Sequence, residues 1–380
     1  MTPLPADAIP LWIRSVEPYL PGRPVREIES ELRQRVIQLA SNENPLGPSP
    51  RALEAARRAL ESGNRYSEGG DKYLREALAA RHGVKFENII LGAGSSELIV
   101  FAARALLGRG RLGATSESTF PLFSINIRLA GADLAVFPLR RYAIDIAVMA
   151  ERLPVTTKVV FLANPNNPTG TMFTADQFDA FLAQVPGHVL VVLDEAYAEY
   201  VERHDYSRSV ELVREGRNVL VLRTFSKVHG LAGLRIGYGI GDADLLKELD
   251  KLRAPYNTSG VAEAAALAAL DDTEHVRRSV ECNRAGLAQL AEGLDALAVH
   301  HVPSFANFVF VDVRREAKPI AELLEKRAVL ARPLGFMDLP NAIRVTVGTK
   351  DDNARFLQAL GEIIGSLRSV DSSSASGEGR

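Results

Sequence analysis

Lys227 sits just beyond an apolar run, 218–222, flanked by the hydroxyls of Thr224 and Ser226, and Arg235 follows eight residues later. An amine that is partly desolvated and close to cationic charge gives up its proton readily and becomes able to form an imine with an aldehyde. A solvated loop lysine is the alternative reading of Lys227 taken alone. A second run, 188–193, ends in Asp194, Glu195, Ala196 and Tyr197. A carboxylate at the end of a buried strand is costly unless something positive lies against it. After 89–91 comes Gly92-Ala93-Gly94-Ser95-Ser96-Glu97, a glycine turn opening a helix. Its free N–H groups suit a phosphate, although the third glycine of a dinucleotide fingerprint is missing and a plain helix cap accounts for it equally. The run 159–163 leads into Asn164-Pro165-Asn166-Asn167-Pro168-Thr169-Gly170, with more Asn-Pro and Thr-Gly chemistry than a surface turn requires. Together these residues offer an amine, a carboxylate, a phenol, an amide and a phosphate cup. That set matches an aldehyde cofactor carrying a pyridine ring and a phosphate.

The elements around these residues are legible in outline. Short, almost wholly apolar runs, at 88–91, 158–163, 188–193 and 218–222, predict strands buried on both faces of a parallel sheet. Between them, 96–107, 174–184 and 244–252 carry helical spacing, which makes the region from 45 to 253 an α/β unit. Ligands of open α/β sheets bind beyond the carboxyl ends of the strands, where the polar residues above fall. From 254 to 368 the texture changes to a long Ala/Glu/Arg-rich helical region, a turn at Pro303, a strand at 307–313, a helix at 319–326 and a strand at 342–347. A smaller α+β domain is expected there, joined by the N-terminal segment 1–44. Residues 369–380, whose last ten hold only Ala375 as an apolar anchor, are expected to be disordered.

Composition excludes several classes of protein. The 380 residues carry 45 Lys+Arg against 47 Asp+Glu, a formal charge of −2, so there is no field to draw the chain to nucleic acid or an anionic membrane. The lone Cys282 can make no intramolecular disulfide and has no neighbouring ligand set, so no metal site is expected. The N-terminus lacks a basic region followed by an apolar run, and no stretch is long enough to span a bilayer. A cytoplasmic, reducing compartment is the expectation.

Read as a whole, the chain resembles the fold-type I, pyridoxal-phosphate-dependent aminotransferases of class I/II, and within them the histidinol-phosphate aminotransferases. The likeness runs from about 36 to 367, through SNENPLG at 41–47, NPNNPTG, DEAY, TFSK with GLAGLRIGY downstream, and RVTVG at 344–348. The resemblance implies a large domain around a mostly parallel seven-stranded sheet, a smaller α+β domain and pyridoxal 5'-phosphate as cofactor. It implies that Lys227 forms the imine with the cofactor and shuttles a proton, that Asp194 pairs with the ring nitrogen, and that Asn167 and Tyr197 bind the ring oxygen. Phe120 falls where an aromatic stacks on the ring, often a Tyr in relatives. Ser95, Ser96, Thr224, Ser226 and Arg235 fall on the phosphate. Tyr66 matches a tyrosine given across a subunit boundary, which implies a homodimer with shared active sites. Ala93 stands where an Asn is common and His229 where an aromatic is common.

For the substrate, the resemblance implies Arg344 at its anionic end and Arg332 as a second guanidinium, with Tyr19, Tyr256 and Asn44 also at substrate positions. Paired guanidinium forks suit the phosphate of histidinol phosphate or the carboxylates of glutamate. Surface cations and, for Tyr19, a packing aromatic remain the alternatives. An amino donor and a keto acid are the expected partners, in the interconversion of histidinol phosphate and imidazole-acetol phosphate within histidine biosynthesis. An aromatic-amino-acid aminotransferase and a threonine-phosphate decarboxylase share much of the pattern. An effector-sensing module would need a DNA-binding domain, and 1–35 shows no basic recognition helix.

Overall fold

The computed structural model describes residues 8–18, 22–67 and 71–375. Its centre is a seven-stranded sheet built from β1 (Ile89–Gly92), β2 (Leu112–Ser116), β3 (Asp133–Phe137), β4 (Thr157–Ala163), β5 (Leu190–Asp194), β6 (Val219–Thr224) and β7 (Gly237–Ile240). The spatial order is β1-β7-β6-β5-β4-β2-β3. All neighbours run parallel except β7, which is antiparallel to both β1 and β6. The period of two along each strand divides the apolar runs between two cores. Leu91, Val160, Leu162, Val191, Leu193 and Val221 face one, while Ile90, Val159, Phe161, Val192, Leu220 and Leu222 face the other. Both faces being covered is why the runs lack polar alternation.

A second, four-stranded antiparallel sheet contains β8 (His300–Val302), β9 (Phe308–Asp312), β10 (Arg332–Leu334) and β11 (Leu339–Thr346), in the order β8-β9-β11-β10. Val309, Val311, Ile343 and Val345 bury one face against helices Thr273–Ala296, Ala317–Glu325 and Lys350–Ala375. The alternate residues Phe308, Phe310 and Arg344 therefore point to the other face, toward the large sheet. From the N-terminal segment, Ile37 and Gln38 pair in parallel with Val329 and Leu330, and Ile37 and Leu39 join the second core.

Three expectations about the organisation need correction. Helix Gly260–Leu270, expected with the smaller domain, inserts Ala262, Ala265, Ala266 and Ala269 into the core of the large sheet and packs along helix Pro50–Leu60. Small side chains let the two helices approach closely, so core membership changes later than residue 254. Helix Leu11–Arg14 of the N-terminal segment lies against helix Leu122–Leu129, with the Trp12 ring over Gly131, rather than on the smaller sheet. The last helix runs to Ala375, into the stretch expected to be disordered; extending an existing helix adds a hydrogen bond per residue without a new nucleus. Residues 376–380 lie outside the described residues. No helix among the described residues is long and apolar enough to cross a membrane, and none of their acidic, His or Cys side chains cluster as a metal site.

One ion pair holds the ends of β5 and β6 together. Glu195 follows Asp194, so its side chain points to the opposite face, where it is completely buried. Arg223 of β6 meets it there, Nη2 to Oε2 at 2.6 Å and Nε to Oε2 at 2.9 Å. Ser207 and Ser209 donate to the remaining lone pairs at 2.5 and 2.9 Å. A buried pair that loses one partner leaves an uncompensated charge. Arg223→Ala should therefore cost about 3–5 kcal/mol of unfolding free energy in denaturant titration. Arg277→Ala, which removes an exposed helix pair with Glu274 and Glu281, should cost below about 1 kcal/mol. Equal losses would contradict the assignment.

Candidate active site

A cavity of about 700 Å³ opens between the two sheets, at the carboxyl ends of β1, β4, β5 and β6. Lys227, Asp194, Tyr197, Asn167, Phe120, Ser95, Ser96, Thr224, Ser226, Arg235, Arg332 and Arg344 all line it. Those contributed by the large sheet, far apart in sequence, are brought together because they stand at or just after strand ends on one edge of it.

At one end is an anion cup. The helix Ser95–Leu106 begins after Gly94, whose φ of 81° suits glycine, and no side chain caps its first turn. A Cβ on Gly94 would stand 2.2 Å from Nη2 of Arg235, so glycine is what lets the guanidinium reach the helix start. Arg235 extends Nη1 to Ser226 Oγ at 3.3 Å and Nη2 to Ser96 Oγ at 3.4 Å. Thr224 Oγ1 donates to Ser226 Oγ at 3.0 Å. Uncapped N–H groups, hydroxyls and a guanidinium converge as a phosphate monoester requires.

Asp194 lies deeper. It is 5% exposed, and its carboxylate accepts the N–H of Ala196 at 3.1 Å. Among the described residues no Lys or Arg comes within 4 Å of it, in contrast to Glu195 next door. Burial raises its pKa to about 7, with the Ala196 N–H and Lys227 pulling the other way. Lys227 is shifted downward to about 8, first by burial and then by Arg344 and Arg235, against Glu43 and Asp194. Its Nζ stands 5.6 Å from the ring centroid of Tyr197. Gly230, with φ 68°, closes this loop against the segment 41–47; a Cβ there would meet the Gly47 carbonyl oxygen at 2.3 Å.

Opposite, β10 and β11 place Arg332 directly across from Arg344. Directly opposed residues of an antiparallel pair share a face, so two guanidinium groups look into the same end of the cavity. Arg344 Nη1 donates to Asn167 Oδ1 at 2.5 Å and Nη2 to the Ala40 carbonyl at 2.7 Å. That donor fixes the Asn167 amide with its oxygen on the arginine and its Nδ2 available as a donor. Arg332 stacks over Phe336, 4.7 Å from the ring centroid. Phe120 meets Phe123 edge-on at 5.7 Å, which steadies its ring in the cavity wall.

Three expected site residues do not line this cavity, and of these Tyr66 is the one expected to serve the site of a second copy. Asn44 does not line the cavity; its Nδ2 donates to the Val228 carbonyl at 2.7 Å and to Ser279 Oγ at 2.9 Å, anchoring the N-terminal segment beside Lys227. Tyr66 and Tyr256 stack on each other at 4.3 Å, are 76% and 55% exposed, and stand outside this cavity. Tyr19 lies outside the described residues. The two departures prove to be supporting positions. The His229 ring packs on Phe225 at 5.0 Å, and burial lowers its pKa to about 3, so it packs as a neutral ring. Ala93 offers its carbonyl to Arg235 at 3.4 Å. Sequence reading missed Asn42, which lines the cavity and donates to Tyr197, and Asn166, whose contacts to Thr119 and Ser118 tie the Phe120 loop to the NPNNPTG loop.

Comparison with known proteins agrees with this geometry. The profile for aminotransferase class I and II matches residues 34–360, and the chain belongs to that family of pyridoxal-phosphate-dependent aminotransferases. Within it, the chain is similar to histidinol-phosphate aminotransferase 1 of Nitrosococcus oceani, 43% identical over 94% of this chain and 96% of the relative. The enzyme of Moorella thermoacetica is 42% identical over 93% and 92%. A crystal structure of the Sinorhizobium meliloti histidinol-phosphate aminotransferase in complex with pyridoxal-5'-phosphate superposes with a TM-score of 0.85 at 28% identity, covering 94% of this chain and 98% of that one. The residues present fit this cofactor, because a buried carboxylate without a cation and an uncapped helix start face one cavity beside an amine of lowered pKa.

The raised Asp194 pKa has a consequence for the cofactor-free protein. A carboxyl whose folded pKa, about 7, exceeds its ordinary 3.8 contributes stability that is complete below about pH 4 and lost as pH rises to about 7. The unfolding free energy of cofactor-free wild type, relative to Asp194→Asn, should therefore fall across that window and level off above it. A difference constant from pH 4 to 7 would show that the carboxylate is not held without a cation.

Proposed function

We propose that this chain is a histidinol-phosphate aminotransferase, exchanging an amino group between histidinol phosphate and 2-oxoglutarate. The observation that carries the substrate reading is the in-register pair Arg332 and Arg344. Like charges directly opposed across two strands repel, and an anion between them relieves the repulsion. Both partners of the exchange bring such an anion, a phosphate in one case and a carboxylate in the other.

Pyridoxal 5'-phosphate supplies an aldehyde that takes up the amino group and a protonated ring that withdraws electrons from the substrate Cα–H bond. Arg235, Ser95, Ser96, Thr224 and Ser226 would hold its phosphate in the cup. Asp194 would keep the proton on the ring nitrogen. Phe120 would stack on the ring, and Asn167 Nδ2 and the Tyr197 hydroxyl would donate to the ring oxygen. Lys227 is uncharged in a useful fraction near neutral pH because its pKa is lowered to about 8. With the cofactor bound, its Nζ would be the base that takes the proton from the substrate Cα. Arg344 and Arg332 orient the substrate, and enclosure between the two sheets keeps water from the reacting atoms.

The same reading includes a homodimer. Tyr66 and Tyr256 form an exposed aromatic pair outside the cavity of their own chain, a placement suited to completing the site of a second copy. It also includes a cytoplasmic location, supported by a single half-buried Cys282 with no disulfide partner.

The test is a panel of half-reactions that follows loss of the cofactor's visible band with histidinol phosphate, glutamate, phenylalanine, tyrosine and threonine phosphate. Histidinol phosphate and glutamate should discharge it fastest. Arg332→Ala should lower kcat/KM for histidinol phosphate by about ten- to a hundredfold, the effect of losing a charge-assisted hydrogen bond. Discharge by phenylalanine but not by histidinol phosphate would replace this reading with an aromatic aminotransferase. Carbon dioxide released from threonine phosphate would indicate a decarboxylase.

A further inference from the structure

Asn42 is 1% exposed, lines the cavity, and has the left-handed φ of 55° that Asn tolerates better than most residues. Its polar groups are all engaged. The backbone N–H donates to Thr346 Oγ1 at 2.9 Å, and the carbonyl accepts from Asn307 Nδ2 at 3.1 Å. Since Thr346 Oγ1 accepts that N–H, its own hydrogen goes to Asn42 Oδ1 at 3.3 Å. The amide orientation is thereby settled, and Nδ2 donates to the phenol oxygen of Tyr197 at 2.9 Å. One side chain thus joins three separate parts: the N-terminal segment, β11 of the smaller sheet, and the loop after β5 of the larger one.

A phenol has one hydrogen to give and two lone pairs with which to accept. An N–H donated to its oxygen occupies acceptor capacity and polarises the O–H, so the next bond along the chain is strengthened. We propose that Asn42 is a positioning residue that holds and polarises the Tyr197 phenol, so that its hydroxyl donates to the ring oxygen of the bound cofactor. The bond that tunes the ring is then coupled to the seating of the smaller sheet on the larger, because Thr346 orients the amide. The inference rests on the reading of Tyr197 at the ring oxygen given above. The charged groups facing this part of the cavity are Lys227, Asp194, Arg344 and Arg235, with Glu43 from the N-terminal segment, and substitution of Asn42 removes none of them.

The measurement is the midpoint pH of the visible band of the cofactor-loaded enzyme, together with the [13C]tyrosine signal of Tyr197 in the cofactor-free protein. Asn42→Gly keeps the left-handed backbone and both backbone hydrogen bonds while deleting the amide. It should move the Tyr197 signal and raise the midpoint by about half a pH unit, the scale of one neutral hydrogen bond. Tyr197→Phe should raise it further, and adding Asn42→Gly to Tyr197→Phe should change nothing more. A Tyr197 signal unmoved by Asn42→Gly would overturn the proposal. So would a midpoint that Tyr197→Phe moves and Asn42→Gly does not, or an Asn42→Gly effect that persists without the phenol. A midpoint indifferent to Tyr197→Phe would overturn the placing of Tyr197 at the ring oxygen, and this proposal with it.

Discussion

A buried carboxylate with no cation against it is the constraint around which the site is organised. Asp194 sits at the end of a strand whose neighbours on both sides are apolar, and among the described residues the Ala196 N–H is its hydrogen bond, with Lys227 acting on it from beyond ion-pair distance. A folded domain tolerates such a group only if function requires it or a ligand completes it. The neighbouring Glu195 shows that the fold can satisfy an acid at this point, since Arg223 and two serines do so one residue later. What separates the two acids is the strand period: successive side chains face opposite sides, so one acid meets the arginine and the other meets the cavity.

The same geometry explains how two sheets make one reaction chamber. Parallel strands bring Asp194, the Lys227 loop and the segments carrying Ser95, Ser96, Thr224 and Ser226 to a common edge. On the smaller sheet, alternation sends Ile343 and Val345 into the core and Arg344 toward the cavity, with Arg332 in register beside it. Asp194 and the Lys227 loop thus belong to one sheet, and the two guanidinium groups to the other. Their relative placement is held by short polar ties, Arg344 to Asn167 and Asn42 to Tyr197. Burial, Arg344 and Arg235 lower the Lys227 pKa, against Glu43 and Asp194.

Much of this was legible in the chain before any coordinates. The buried parallel strands announced themselves as apolar runs, and the polar residues following them marked the cavity edge. Strands β2, β3 and β7 were not legible. Gly113, Ala114, Thr115 and Ser116 form β2 with scarcely a bulky side chain, because Ile127 fills the space that a Cβ on Gly113 would need. Gly237 and Gly239 give β7 the look of a loop, yet Gly237 lies where a Cβ would meet Ser95 N at 2.5 Å. The contacts of Asn42 and Asn44 were hidden for a different reason: both stand in SNENP, and a motif shows that a segment is used without showing which amide turns inward. Tyr66 and Tyr256 carry the same lesson, since exposure of an aromatic pair is a property of the folded surface.

The central claim, that Asp194 awaits a positive ring nitrogen, is most directly tested by the 15N chemical shift of labelled pyridoxal phosphate bound to the enzyme. A wild-type signal of a protonated pyridine nitrogen that persists above neutral pH, and reverts to the unprotonated shift in Asp194→Ala, is the predicted result. An unprotonated nitrogen in the wild type, or a signal unchanged by Asp194→Ala, would contradict it.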